Sequence, residues 1–458
     1  MDNPRPQLFD NKKLTMLIIP IFLEQILGIL VGMVDGVMVS SVGEAAVSGV
    51  SLVNNISAVM LNLFVALAAG GGIVTSQLLG AGKKQDARRS AGQMITMCVL
   101  VACAIMVLCL VFSRQMLRLF FGEIEKDVME ASVTYFFYNA LSFPFLALCS
   151  AGGAILRANG NSRVSFYVSL LRNGVNIAGN AICIYGLGMG VEGAAIPTAI
   201  SRVAGAICVM LVVNGRQQPL RPSKKDIFRI NPKLMGRMTR VGLPTALENS
   251  MFQLGRVMTL SMISGFGTFQ ITANSTAGHL CNFVVTTITA LRTASLTVVG
   301  QCVGAQDMGQ IKRNYRRLMI WAYLSHGIAA ALVVLFRFQL LGIYDNLSPE
   351  TVELAADLVC IHLIPAIALY PLSFLIPGPL RAANDSAFPM WVSILSMVIF
   401  RLSLAQILCV ELEMGAVGVW LAMLVDWVCR SICFTVRWHS GAWKKKCTWD
   451  HKQVPASK

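Results

Sequence analysis

Most recognisable words of this chain are written twice. GEAAVSGVS, starting at Gly43, returns as GTFQITANS at Gly267; QLLGA from Gln77 returns as QCVGA from Gln301; RANGNS from Arg157 returns as RAANDS from Arg381, each pair 224 residues apart. Pro20 and Glu24 fall in the same way on Pro244 and Glu248, whereas MGVEG from Met189 and MGAVG from Met414 are one residue out of step. A chain of 458 residues that repeats half its length folds as two copies of one unit.

The unit is written in apolar runs. With 55% hydrophobic residues, 13% charged residues and a mean hydropathy of +0.64, the chain is too apolar for an ordinary soluble protein. Runs long enough to cross a bilayer, for which about 20 residues suffice, lie near 14–39, 52–79, 91–112, 131–156, 164–186 and 193–214, and again near 241–264, 275–303, 316–337, 353–378, 388–410 and 416–437. The expected fold is an all-α membrane protein of twelve transmembrane helices in two pseudo-symmetric six-helix bundles. The expected domains are an N-terminal bundle over 1–214, a basic linker over 215–240, a C-terminal bundle over 241–437 and a basic tail over 438–458. Six spans per copy bring both copies in from the same side, the parallel-repeat plan of many secondary transporters, with a substrate path between the halves. A channel would need no such paired rocking.

The net charge of +15 follows from topology. Lys12, Lys13, Lys83, Lys84, Arg88, Arg89, Arg157 and Arg163, the linker bases from Arg216 to Arg240, Lys312 to Arg317 and Lys444 to Lys446 all fall on one side of the predicted spans. Glu44, Glu192, Asp345, Glu350, Glu411 and Glu413 fall on the other. By the positive-inside rule both termini are cytoplasmic, which predicts a multi-pass protein of the plasma (inner) membrane and no nucleic-acid partner. The basic tail reads as disordered or lying on anionic lipid. Asn346-Leu347-Ser348 is a glycosylation sequon expected to be there by chance. The 13 cysteines form no CxxC pair and sit mostly in apolar runs as small buried hydrophobes. There is no GxxxxGK[ST] phosphate loop for ATP and no acidic or His/Glu constellation of an intramembrane enzyme, so neither catalysis nor a cofactor is expected.

Against this background the acids in the spans stand out. An intramembrane carboxylate costs about 2.5–3.5 kcal/mol on insertion scales and is a site hypothesis by default. Leu14 to Val39 carries two, Glu24 and Asp35, eleven residues apart and so on nearly one helix face. Gly28, Gly32 and Gly36 are expected to form a packing stripe along that side. Asp35 could bind and release a proton or hold a cation. In the fifth span Asn173, Asn176 and Asn180 share a face, and they could either join helices by hydrogen bonds or offer carbonyl oxygens to Na⁺. Glu248 is the repeat partner of Glu24; the two acids could face a central cavity or pair with intramembrane arginines. Asp35 has no acidic partner, since Thr259 stands in its place. The second half brings bases instead, Arg256 at the position of Gly32, with Arg292 and Arg401 also in spans. Arg256 and Arg292 are candidates for the substrate cavity beside Glu24 and Glu248, or structural partners of Glu248, Asp426 or backbone carbonyls.

P-x3-E followed by GMVDGVMVSSVGEAAVSGVS, then QLLGAG with its basic loop, resembles the first unit of the multidrug and toxic compound extrusion (MATE) family, and VGLPTALENSMFQLG with QCVGAQ resembles the start of its second. The likeness covers nearly the whole chain. It implies an efflux antiporter for small organic, cationic or amphipathic compounds, driven by H⁺ or Na⁺ through alternating access. Within it, Asp35 matches the family's aspartate in the first helix, Asn176 and Asn180 its polar pair, and Thr198 its hydroxyl; a coupling Na⁺ would sit at Asp35, Asn176 and Asn180. The chain is expected to work as a monomer, with coupling in the first half alone. A related bundle plan also serves flippases of lipid-linked or polyprenyl-pyrophosphate sugars, for which the intramembrane arginines are the argument.

Overall fold

The computed structural model describes residues 7–122, 125–216, 218–344 and 347–447, and among them every regular element is helical. The first half contains α1 (Asn11–Ser40), α2 (Glu44–Gly80), α3 (Lys84–Val111), α4 (Lys126–Leu141, continued after a 46° bend by Phe143–Ala158), α5 (Ser162–Asn180, running on through Ala181–Gly186) and α6 (Glu192–Val213). The second contains α7 (Pro232–Ser264), α8 (Thr268–Gly304), α9 (Met308–Leu335), α10 (Pro349–Ala382), α11 (Ala387–Glu411) and α12 (Gly415–His439). Short helices Ser113–Phe121 and Arg337–Leu341 follow α3 and α9, and Lys224–Phe228 lies between the halves. Nine of the long helices are apolar enough to span by composition alone and the bent α4 makes ten; the more polar α5 and α7 complete the twelve.

The repeat seen in the sequence is reproduced by helix ends. Ser40 and Ser264, Gly80 and Gly304, Val111 and Leu335, and Ala158 and Ala382 end matching helices, each pair 224 positions apart. After that the offset becomes 225, as in the wider-wound segments Ala181–Gly186 and Gln406–Glu411. The extra residue falls in the interval where α11 winds as a π-helix over Met397–Ser403. A π-turn encloses one more residue per hydrogen-bonded ring than an α-turn, so it absorbs an insertion without ending the helix.

Two compact units result: Asn11–Leu79 with Lys83–Ala246, and Met1–Asp10, Gly80–Gly82 and Leu247–Lys458. The division falls inside α7, just after Pro244, which lacks the N–H that the helix ladder needs there. In the first unit the N-terminal part of α7 approaches α2 so closely that a Cβ on Gly70 would stand 2.5 Å from the Met238 carbonyl oxygen. Also within that unit, α1 packs on α5, and α5 on α6.

Two expectations need correction. Gly28, Gly32 and Gly36 are exposed, and a Cβ on any of them would have nothing within 4 Å. Each four-residue step advances about 40° around the helix, so over its two steps the stripe turns through about 80° and winds off the face that carries the acids. The beginning of the basic tail is ordered: Ala442–Lys446 forms a 3-10 turn, the Trp443 ring stacks on Trp438 at 4.6 Å, and Lys446 Nζ lies 2.6 Å from Asp385 Oδ1. Residues 448–458 and Asn346 of the sequon lie outside the described residues.

Candidate functional site

Gly179 on α5 and Pro197 on α6 set the distance between these helices, because a Cβ on Gly179 would be 2.7 Å from the Pro197 Cβ. The next residue on each helix is a site residue, Asn180 and Thr198. Asn180 Nδ2 donates to Asp35 Oδ1 at 2.9 Å. The Asn176 amide lies between Asp35 and Thr198; one orientation satisfies both of its ends, and the other sets its oxygen against the carboxylate oxygens. With its nitrogen toward Asp35 it donates to both carboxylate oxygens at 3.0 Å and accepts from Thr198 Oγ1 at 3.1 Å. Turned over, it donates to Thr198 Oγ1 at 3.1 Å, and the Thr198 hydroxyl donates to the Ala194 carbonyl at 2.8 Å. Asn176 and Asn180 are buried, Asp35 half-buried, and Asn180 Oδ1 is a buried oxygen with no hydrogen-bond partner.

The structure thus joins Asp35, Asn176, Asn180 and Thr198. Asn173, about one turn before Asn176, instead accepts from Arg172 Nη2 at 3.4 Å, and its own Nδ2 has no partner. One carboxylate among amide oxygens and a hydroxyl is a donor set for a proton or a hard monovalent cation. No group of three or more His, Cys, Asp or Glu side chains that could hold a metal ion occurs among the described residues.

Glu24 and Glu248 each face an arginine of their own unit, and the arginines are themselves repeat partners. Glu248 is buried and takes a direct 2.5 Å hydrogen bond from Arg381 Nη2. Glu24 accepts from Ser165 Oγ at 3.3 Å, which in turn is 3.5 Å from Arg157 Nη1, so hydroxyl and guanidinium follow in series. Ser165 corresponds to Pro389, which has no hydroxyl to insert. Arg256 is exposed and Arg292 half-buried; neither forms an ion pair with any described acid, although Arg292 lies in the electrostatic reach of Glu248 and Arg381.

A MatE family model matches residues 20–182 and 244–407, one match in each half. The chain belongs to the MatE family. It is 29% identical to the uncharacterized transporter YisQ of Bacillus subtilis over 93% of this chain and 94% of the relative, and 26% identical to the probable multidrug resistance protein NorM of Thermotoga maritima over 97% and 95%. A multidrug resistance MATE family transporter solved in an outward-facing conformation superposes with a TM-score of 0.88 at 20% identity, covering 95% of this chain and 96% of that one. As in the MATE transporters of this fold, the twelve membrane helices form two six-helix bundles.

Spacing in the sequence of this MATE transporter singles out neither of two residues near the site, and it puts a third in a loop. Tyr135 on α4 lies close enough to Asp35 and Thr198 to interact with both, and its hydroxyl donates to Asn54 Oδ1 at 3.4 Å. Arg202, one turn after Thr198, donates from Nη1 to Asn139 Oδ1 at 2.9 Å and to Ser142 Oγ at 2.7 Å, tying α6 to the bend of α4. Arg157, expected in the loop after the fourth span, lies in the last turn of α4 and faces Glu24. The four-residue step from Thr198 to Arg202 within an apolar run was the available signal for Arg202; nothing in spacing links Tyr135 to Asp35.

Proposed function

We propose that the protein is an H⁺- or Na⁺-coupled antiporter that exports small organic compounds, cationic or amphipathic, by alternating access, with Asp35 as the coupling group. The observation that carries this reading is the convergence of Asn176 and Asn180 on Asp35, with Thr198 behind Asn176 and no acid at the repeat position Thr259. The same fold houses the multidrug resistance transporter compared above.

Asn176 supplies a way for the charge on Asp35 to be felt elsewhere. When Asp35 is ionised, the amide nitrogen faces it and the Thr198 hydroxyl is drawn to the amide oxygen. When Asp35 is protonated, its O–H has to donate; the amide turns its oxygen to receive that proton, and Thr198 returns to the Ala194 carbonyl. Only one of these arrangements leaves the α6 backbone carbonyl bonded to Thr198. A Na⁺ ion would be met by Asp35, Asn176 Oδ1 and the unpartnered Asn180 Oδ1. Occupancy of this site can drive transport only if proton or Na⁺ binds the inward and outward states unequally. Both termini are assigned to the cytoplasm on the charge distribution, in a monomer of the plasma membrane.

The test is efflux of a cationic dye from sealed vesicles, with pH and Na⁺ gradients imposed separately. Wild type should respond to one of the gradients, and Asp35→Asn should lose that response while its inserted amount and melting temperature hold. Gradient-driven efflux by Asp35→Asn at the wild-type rate would overturn the assignment.

A further inference from the structure

The end of α1 remote from Asp35 carries a second feature of the first unit. Pro20 has no N–H, so the Met16 carbonyl lacks its partner in the helix ladder. Ser162, the first residue of α5, makes up the loss: its Oγ lies 3.1 Å from the Met16 carbonyl oxygen and 2.7 Å from that of Leu17. This hydroxyl fixes the start of α5 against α1 and brings the next residue, Arg163, beside the same turn.

A cavity of about 420 Å³ opens there, lined by Lys12, Thr15, Met16, Ile19 and Pro20 of α1 and by Arg163 of α5. The α1 residues stand at i, i+3, i+4, i+7 and i+8, which is one side of a helix. They are also sorted by depth. Lys12 precedes the apolar run that begins at Leu14, and Ile19 is seven residues further on, about 10 Å along the axis. The hydrocarbon core is about 15 Å deep from surface to midplane. The bases thus stand at the level of lipid headgroups, on the side of the spans where the basic loops lie, and the apolar floor stands within the acyl chains.

The polar end of the cavity is positive and unneutralised. Lys12 and Arg163 are exposed, and neither forms an ion pair with a described acid. The Thr15 hydroxyl donates to the Asn11 carbonyl at 2.9 Å. Two helices also begin here, α1 at Asn11 and α5 at Ser162, and Asn161 before α5 gives it no side-chain cap. Two helix N-termini add partial positive charge to that of the two bases. The repeated frame does not require these bases, since the matching positions of the second half hold Gly236 and Ala387. At the apolar end Ile19 is 50% exposed. A small anion would neutralise the bases and leave Ile19 uncovered. An acyl chain placed below an anionic phosphate covers both, in the order that the cavity presents them.

We propose that this cavity is a binding site for an anionic phospholipid, its phosphate held between Lys12 and Arg163 and its acyl chain lying along Met16 and Ile19 past Pro20. The site takes its ligand from the surrounding leaflet, whichever compound the protein exports.

The test is native mass spectrometry of the full-length protein released from detergent, titrated with phosphatidylglycerol and with phosphatidylcholine of the same chains. A base near an anionic surface strengthens binding about fivefold, so wild type should favour phosphatidylglycerol by about thirtyfold. Lys12→Gln and Arg163→Gln should each lower its binding about fivefold, and the double variant should abolish the preference. Lys12→Arg and Arg163→Lys should keep most of it. The control is Lys224→Gln with Lys225→Gln, which removes the same charge from the exposed linker and should leave the preference intact. Equal binding of the two lipids by wild type overturns the proposal, as does a preference that survives the double variant. An equal loss in the linker control also overturns it, because the basic side as a whole would then attract the lipid. Inorganic phosphate that displaces phosphatidylglycerol at equal concentration would show an anion site that does not read the acyl chain, and would overturn it as well. All these side chains are exposed, and melting temperatures of the variants check that the fold is kept.

Discussion

The two units share a frame and differ in the chemistry they hang on it. In each, a glutamate on the first helix faces an arginine at the end of the fourth, Glu24 with Arg157 and Glu248 with Arg381, and helices α1 to α4 end 224 residues before α7 to α10. Around that frame the first unit carries an acid among amides, and the second carries arginines among aromatic rings. A twofold architecture needs its ends and its close approaches conserved between copies. It does not need the side chains lining the interior to match, so one fold can carry an acid among amides in one copy and arginines among aromatic rings in the other.

The frame can be broken selectively, and the second unit should suffer more. Glu248→Gln removes the only carboxylate among the described residues that is bonded to buried Arg381, and breaking such a pair costs about 3–5 kcal/mol. Glu24→Gln still presents an oxygen to Ser165 and leaves Arg157 half-buried, so its cost should be about 1 kcal/mol, that of one hydrogen bond. Thermal unfolding of both variants in detergent checks this. Equal losses would mean that the two pairs are equivalent and that the direct contact in the second unit carries no extra weight.

Much of this was legible in the amino-acid order. Apolar runs and repeated words survive in sequence because membrane insertion and close packing constrain them residue by residue, and they led to the twelve helices and the two bundles. Helical spacing puts the amides Asn176 and Asn180 on one face; joining them to Asp35 and to Thr198 needed the family resemblance, because those residues are on other helices. Tyr135 and Arg202 were missed for the same reason. The match between Asn176 and Arg401 was blurred by a single inserted residue: an offset of 224 lands on Phe400, and only the π-turn of α11 shows that 225 applies. Asn173 shared the amide face yet sits about one turn away from the carboxylate, a distinction that angular spacing cannot make.

The first unit's site can be loosened through its spacing without touching a polar group. Gly179→Ala places a methyl 2.7 Å from the Pro197 Cβ, so α5 and α6 must move apart. Overpacking of this kind costs about 1–3 kcal/mol. The matching residues of the second unit are Leu404 and Ala422, where the small side chain is on the other helix. Gly179→Ala should therefore lower the melting temperature and weaken gradient-driven efflux of a cationic dye. Lost stability with unchanged efflux would show that the Asn176–Thr198 contact tolerates the shift and that the two units differ less in their spacing than this geometry implies.

The smallest expected effect concerns the far end of the second unit. Asp385, fully buried, stands where the first unit has Asn161, and it binds Arg437 at 2.9 Å and Lys446 at 2.6 Å. This holds the turn that buries Cys447, whose thiol is pushed up to about 12 by burial and then by the negative charge of Asp385. The raised value means that folding favours the protonated thiol: its contribution is complete below pH 9 and is lost as pH rises from there toward 12. At pH 8 Cys447 should resist iodoacetamide in the folded protein and react once unfolded. Lys446 is 45% exposed, so Lys446→Ala should cost about 0.5 kcal/mol or less, since solvent screens such a pair. It should nevertheless speed alkylation of Cys447, because local opening of the turn needs far less energy than global unfolding. If mass spectrometry of the labelled peptide shows no faster alkylation in Lys446→Ala, Arg437 alone secures the turn and the acid at Asp385 gives the second unit no lock that depends on Lys446.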